Sequence, residues 1–557
     1  MAIKKEDEWI VNLVGAGLAL LLLAKLRGYI ESPSNYGGLG LFRLDAICLC
    51  VAALCLSVWS VAKIQQACWG LSAFSLMFVF MPPSWITAAF KLFGITKAAF
   101  TARMELPSVV LIVLSLILLW ETGKKLTTKS KHKRGVDIRP LKVQKGEQQI
   151  IVGKFDADIL PPDVRDLVKG GSGAAISLPV ANLTRGISIL GDPGSGKSRL
   201  MWRLLDETQR HFPDIPVLIH DPKGEWLRTY YDSKHDLIFA PYDKRATGWD
   251  IFSDLKEHPQ LISSIAATAV SQHHGAGAGE NLYWVDAATS IVKEQLETSG
   301  DLMSFRDGLL KWREDRIRDK TALSAYSSAR PAVRDIATIA LANGPGQKLL
   351  MEQFLNHRGR IFLLNSPMQA EEQNGAFAIF LSAFMLSCLS EPDTSQPRAC
   401  VIIDEALTFH LPPKIEEAIC GQSRSKGLIT IAAAQWLPKD DRRLLTRADF
   451  RFGMKVGDLH AAQTLAALCG QAVFEEPVES TTSASGADST HTGKQERARS
   501  LMPPEYFRSL QPRAFVLLQP GGIAPGYTGD VAGEQRNDIP AFDYQQQPQI
   551  SDYMKVL

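Results

Sequence analysis

The residues with the clearest chemistry are Gly191-Asp192-Pro193-Gly194-Ser195-Gly196-Lys197-Ser198, which follow the short apolar run Gly186 to Leu190 and precede a helical stretch beginning Arg199-Leu200-Met201-Trp202. They fit G-x-x-x-x-G-K-[ST] in the strand-loop-helix setting which that motif requires. The glycines let backbone N–H groups approach phosphate oxygens, and the N-terminus of the following helix favours negative charge. Lys197 would reach the β/γ-phosphates of ATP, and Ser198 would offer its hydroxyl to Mg²⁺. A second run, Ala399-Cys400-Val401-Ile402-Ile403-Asp404-Glu405, reads as a buried strand delivering two carboxylates at its C-terminal end, where open α/β sheets bind ligands. Asp404 is expected to hold Mg²⁺ through water, and Glu405 to orient or deprotonate an attacking water. An ordinary strand-terminal acid pair has the same residues, but the phosphate loop elsewhere in the chain favours the catalytic reading. A third strand, Leu428 to Ala434, ends in Gln435, whose amide can sense a γ-phosphate and position water.

These residues need a sheet to hold them. Further strand-like runs at Pro216 to His220, Arg360 to Asn365, Phe452 to Val456 and Ala514 to Leu518 are separated by helical or loop segments. The alternation predicts an α/β fold with a mainly parallel, doubly wound sheet of the RecA-like P-loop class. No LSGGQ-like signature precedes Asp404, so the ABC type of ATPase is excluded.

The chain has 557 residues, too many for one small module. Lys+Arg 61 against Asp+Glu 59 leaves a formal charge of +2, so a nucleic-acid site would need local placement of charge. The eight cysteines show no metal-ligand spacing, which predicts reduced thiols and no zinc site. The first 120 residues are far more apolar than the rest. Ile10 to Ala24 and Leu106 to Trp120 carry no charge, and Lys63 divides the run Ala46 to Phe90 in two. Four spans is the leading count, although Pro82-Pro83 and the lysines after it also allow two or three, with an interfacial helix over Ser84 to Arg103. Lys124, Lys125, Lys129, Lys131, His132, Lys133 and Arg134 then form an acid-free run that reads as a positive-inside anchor. The N-terminal segment reads as a signal anchor rather than a cleaved peptide.

Residues 217 to 252 read VLIHDPKGEWLRTYYDSKHDLIFAPYDKRATGWDIF, and here the sequence resembles a family. The Asp-Pro-Lys-Gly-Glu block, the turn Asp243-Lys244-Arg245 and the segment Gly248-Trp249-Asp250 are similar to those of the type IV coupling proteins of the TraD/TrwB kind. Gly421-Gln422-Ser423-Arg424-Ser425-Lys426-Gly427 with the strand to Gln435, and Leu501-Met502-Pro503-Pro504-Glu505, resemble the family's later blocks, so the likeness spans roughly residues 150 to 525. The resemblance implies a membrane-anchored, hexameric ATPase with ATP and Mg²⁺ as cofactors. It implies DNA with an attached relaxase or relaxosome as cargo, and a type IV secretion channel as partner in conjugation. A receptor ATPase for secreted proteins and an FtsK-like or HerA-like DNA pump are the alternatives.

The resulting layout is a transmembrane domain of about four helices (1–123), a basic cytoplasmic linker (124–150), and a RecA-like domain (151–250 and 351–530). An all-α domain (251–350) is inserted into it, and a flexible tail (531–557) follows. The location is the bacterial inner membrane, multi-pass, with the ATPase domain in the cytoplasm. The chain departs from the family's pattern in its four-span anchor and in a short glutamine-rich end where a long receptor domain is common. Arg424 resembles the position from which ring ATPases supply an arginine across a subunit interface. With Lys197, Glu405 and Gln435 it completes the expected catalytic set. Asp221, Lys223 and Glu225 suit a nucleotide pocket, a subunit interface or a structural turn equally. His273-His274 and Ser480 to Thr492 read as flexible surface loops.

Overall fold

Unalternating apolar runs of four to seven residues form the central strands, and every residue in them is buried, as expected where helices cover both faces of a parallel sheet. A computed structural model describes residues 131–557, except residue 136 and segments 142–146, 169–171, 275–280, 342–347, 366–369, 438–441, 485–486, 530–538 and 547. The expected transmembrane domain 1–123 and residues 124–130 of the linker lie outside the described residues.

In chain order the strands are β1 (Lys131–Gly135), β2 (Asp137–Ile138), β3 (Gln149–Phe155), β4 (Ala175–Pro179) and β5 (Ile187–Leu190), then β6 (Val217–Asp221), β7 (Leu237–Phe239), β8 (Arg360–Leu364), β9 (Ala399–Ile403) and β10 (Leu428–Ala434). The last are β11 (Phe450–Gly453), β12 (Gln471–Ala484), β13 (Ala487–Ser500), β14 (Ala514–Gln519) and β15 (Gly522–Tyr527). The main sheet has the order β4-β3-β15-β14-β11-β5-β10-β9-β6-β8-β7. From β11 to β7 all neighbours are parallel. At the other side β14, β15, β3 and β4 continue it antiparallel, so the sheet is mixed. The sequence reading missed β2, β3, β4, β7 and β15, and the strand expected at Phe452 to Val456 begins two residues earlier.

Register decides what meets at the sheet edge. Ala434 lies beside Leu190, Ala432 beside Ile403, and His220 beside Ile403. The carboxyl ends of β5, β10, β9 and β6 therefore line one edge.

The helices used below are α1 (Lys197–His211), α2 (Glu225–Tyr230), α3 (Ile251–Glu257), α4 (Ile262–His274), α5 (Asn281–Thr298), α6 (Leu302–Asp315), α7 (Lys320–Leu341), α8 (Ala370–Ser390), α9 (Pro413–Lys426) and α10 (Pro548–Val556). Helices α3 to α7 lie between β7 and β8 in the chain, and α4, α5 and α7 pack on one another and, through α4 and α7, on α8. A window of α8, Glu372–Ser390, is long and apolar enough to cross a membrane, but 78% of it is buried inside the fold. It is a core helix here.

Three sequence expectations are corrected. His273 and His274 end α4 rather than lying in a loop, and their rings engage the Asp335 carboxylate at 2.7 Å and the Ser328 carbonyl at 2.9 Å. Ser480 to Thr492 belongs largely to the antiparallel β12–β13 hairpin, whose backbone pairing runs from Gln471–Ser500 to Ala484–Ala487. The tail is not flexible where it is described. Ile550, Tyr553 and Leu557 recur at helical spacing and are buried, a one-sided apolar stripe that α10 lays against α7. Before α10, the Asp543 backbone exchanges hydrogen bonds with the turn Asp243-Lys244-Arg245. Its N–H donates to the Asp243 carboxylate at 2.9 Å, and its carbonyl accepts from Lys244 N–H at 2.9 Å. Glutamine-rich composition concealed these few anchors.

Tyr553 also donates its hydroxyl to the Leu302 carbonyl at 3.2 Å. Tyr553→Ala should weaken docking of α10 by about 2–4 kcal/mol and speed amide hydrogen exchange in α10 and in α6 beneath it. Exchange unchanged from the wild type in both would show that the segment is not held by this stripe.

Candidate nucleotide-binding site

The loop between β5 and α1 is pinned at every turn. Gly191 N–H donates to the Ala434 carbonyl at 3.1 Å, Asp192 N–H to Lys455 at 2.8 Å, and Ser195 N–H to Asp192 at 3.1 Å. The Asp192 carboxylate accepts from Gly457 N–H at 2.5 Å. Gly196 takes φ +105°, and a Cβ there would stand 3.1 Å from the Arg513 backbone. Arg513 closes the loop from outside, donating its N–H to the Ser195 carbonyl at 2.7 Å while itself holding φ 70°. A left-handed non-glycine residue costs on the order of 1–3 kcal/mol and persists only where its surroundings demand it.

Lys197, the first residue of α1, is 9% exposed and donates to the Gly191 carbonyl. Burial lowers its pKa, and the nearby Asp404 charge partly opposes that shift. Ser195 Oγ is buried without a hydrogen-bond partner, and the first turn of α1 has no side-chain cap. A long helix's N-terminus without a side-chain cap, beside a buried ammonium with a neutral acceptor, fits an anionic phosphate. Ser198 lies in the same turn.

Asp404 follows β9 and is 7% exposed; its carboxylate accepts from the Trp226 indole at 3.4 Å. Burial raises its pKa, and the adjacent Glu405 adds to that, against the pull of Trp226, Lys223 and Lys197. A carboxylate in that position is stabilised by a cation, so the residues present fit Mg²⁺. The fully buried His220 donates Nδ1–H to the Asp404 carbonyl at 2.5 Å, and burial depresses its pKa to about 4, so the ring is neutral.

Glu405 adopts φ 62°. Its Oε1 accepts from Gln435 Nε2 at 3.2 Å and pairs with Lys223 Nζ at 3.0 Å. Burial works against the Lys223 charge, but the hydrogen bond and charge of Glu405 outweigh it and raise the pKa. The turn carrying Lys223 is built by Asp221, which accepts from Glu225 N–H at 3.0 Å and Leu227 N–H at 2.8 Å and so starts α2.

The fold thus gathers residues 191–198 with Asp404, Glu405 and Gln435 at one edge. Arg424 is not among them. It is exposed in the last turn of α9, before β10, while Gln435 follows that strand. A seven-residue strand separates the two, roughly 20 Å at the usual rise. Sequence reasoning missed Trp226, His220 and Arg513. Only the DPKGE block hinted at the first two, and nothing local marked Arg513.

Residues 172–306 match the family model described as type IV secretion-system coupling protein DNA-binding domain. Coupling protein TraD of Escherichia coli (strain K12) is 22% identical over 309 residues, 50% of this chain and 42% of the relative. The chain therefore spans less than half of that relative. The bacterial conjugative coupling protein TrwBdeltaN70, unbound monoclinic form, superposes with a TM-score of 0.54 at 18% identity, covering 67% of this chain and 90% of that one. Plasmid coupling protein TrwB in complex with ADP and Mg²⁺ gives 0.54 at 18% identity, covering 71% and 97%. The chain is similar to the type IV coupling proteins in sequence and in fold. TrwB has also been solved with a non-hydrolysable ATP analogue.

Asp221 is 1% exposed, and burial raises its pKa to about 7, with Asp404 adding to the shift against the hydrogen bonds from Leu227 and Glu225. The folded chain therefore holds this proton more tightly than the unfolded chain, whose carboxyl titrates near ~3.9. The associated stability is fully present below that value and lost as pH rises towards 7. Asp221→Asn should flatten the fall in melting temperature between pH 5 and 7. A slope identical to the wild type would remove Asp221 from that dependence.

Proposed function

We propose that the chain is a membrane-anchored, ring-forming ATPase that couples DNA, with its attached relaxase, to a type IV secretion channel and drives transfer during conjugation. The observation that carries the ATPase reading is the convergence of the uncapped α1 N-terminus, buried Lys197, Asp404 and Glu405 at one sheet edge. Likeness to coupling proteins supports the DNA cargo. The apolar runs of residues 1–123 and the basic run after them support an inner-membrane, multi-pass anchor with the ATPase domain in the cytoplasm.

In this reading the N–H groups and side chains of Gly191, Asp192, Pro193, Gly194, Ser195, Gly196, Lys197 and Ser198 form the nucleotide cradle. Ser198 and Asp404 hold Mg²⁺, whose charge offsets that of the phosphate oxygens. Lys197 neutralises the β/γ-phosphates, Glu405 takes a proton from the attacking water, and Gln435 orients it. Arg424, too far along β10 to serve its own pocket, acts on that of a neighbour in a homo-hexamer. Helices α3 to α7 form an all-α domain inserted into the motor.

Lys197→Ala should abolish ATP hydrolysis, and so should Arg424→Ala. Mixing the two variants should recover part of the activity, because some interfaces then pair an intact loop with an intact arginine. Retained turnover in Lys197→Ala would refute the phosphate loop; no recovery despite verified subunit exchange would refute the trans arginine.

A near-neutral chain grips DNA only where a ring concentrates positive charge, so binding should fall steeply with salt through counterion release and depend little on sequence. DNA should stimulate turnover of the purified full-length chain and promote oligomers by sedimentation. Turnover that ignores DNA but rises with a secreted protein would favour a protein receptor.

A further inference from the structure

Two donors from different elements close on one oxygen of Glu405. Lys223 Nζ arrives from the turn after β6 at 3.0 Å, and Gln435 Nε2 from the end of β10 at 3.2 Å, both to Oε1. The lysine's own backbone is fixed. Asp221 ties the far side of the turn to α2, and Gly224 takes φ +67° under Ala541, so close that a Cβ would run into it. Glu405 stands in a strained left-handed backbone of its own. An ion pair whose lysine side chain is 55% exposed contributes only about 0–1 kcal/mol to stability. Its consequence is orientation.

We propose that Lys223 is a positioning residue for Glu405: with Gln435 it grips Oε1, leaving Oε2 as the oxygen that accepts the proton of the attacking water. This rests on the reading of Glu405 as the base. Lys223 does not touch the reacting atoms. It removes the rotation by which the carboxylate would otherwise present either oxygen, or neither, to the water.

The test uses the purified full-length chain, with Lys223→Met, Lys223→Arg, Glu405→Gln and the double variant Lys223→Met/Glu405→Gln. Affinity is measured with a fluorescent non-hydrolysable ATP analogue and Mg²⁺, alongside kcat and melting temperature. Lys223→Met should keep analogue affinity within about twofold and its melting temperature, while kcat falls about 10–100-fold, the usual effect of losing an orienting partner. Lys223→Arg should recover most of the rate. The double variant should turn over no more slowly than Glu405→Gln alone, because the two residues act as one unit. If Lys223→Met does not fold, Lys223→Gln supplies the neutral variant. Wild-type or faster turnover in Lys223→Met, or a loss of analogue binding with kcat unchanged, overturns the proposal. Rapid turnover by Glu405→Gln overturns the base itself, whereas an inactive Glu405→Gln beside a fully active Lys223→Met overturns Lys223 alone.

Discussion

A buried carboxylate and a buried ammonium share one sheet edge, and most of the site's construction follows from keeping them there. Isolated charges in a protein interior are strongly disfavoured. Asp404 is therefore given the Trp226 indole, and Lys197 the Gly191 carbonyl, while each lies in the other's field. Their environments still push Asp404 towards protonation and Lys197 towards deprotonation. That residual imbalance is what a phosphate and a divalent cation would relieve together.

The same edge is linked mechanically to distant parts of the chain. The turn after β6 holds Lys223 on one side and meets Ala541 on the other. The segment around Asp543 is tied in turn to the buried Asp243, whose carboxylate forks to Arg245 at 2.6 and 2.8 Å. From there α10 runs onto α7. Short polar side chains make most of these connections, with one backbone hydrogen bond, Lys244 N–H to the Asp543 carbonyl, among them. A continuous path of contacts thus runs from the turn beside Glu405 to the helical segment between β7 and β8.

How much was legible in the sequence follows a physical rule. The phosphate loop, the acid pair after Ile403 and Gln435 could be placed because each is a short local pattern: an apolar strand, then a turn whose residues have few substitutes. Continuous burial on both faces made β5, β6, β9 and β10 visible for the same reason. The antiparallel strands β3, β4 and β15 escaped because their runs are short or interrupted. The helix α10 escaped because three anchors in a polar segment do not alter its composition.

Sequence by itself determined which residue types stand at the ends of which strands, since that depends only on neighbours along the chain. Tertiary structure alone decided who faces whom. Parallel register joined Glu405 to Gln435 and Lys223 across separations no local rule spans. The length of β10 put Arg424 at the opposite end of that strand from Gln435, and the approach of Arg513 to Gly196 came from the turn before β14, far later in the chain. Contacts of that kind are set by packing of whole elements, whose energy is shared among many residues and written in no single motif.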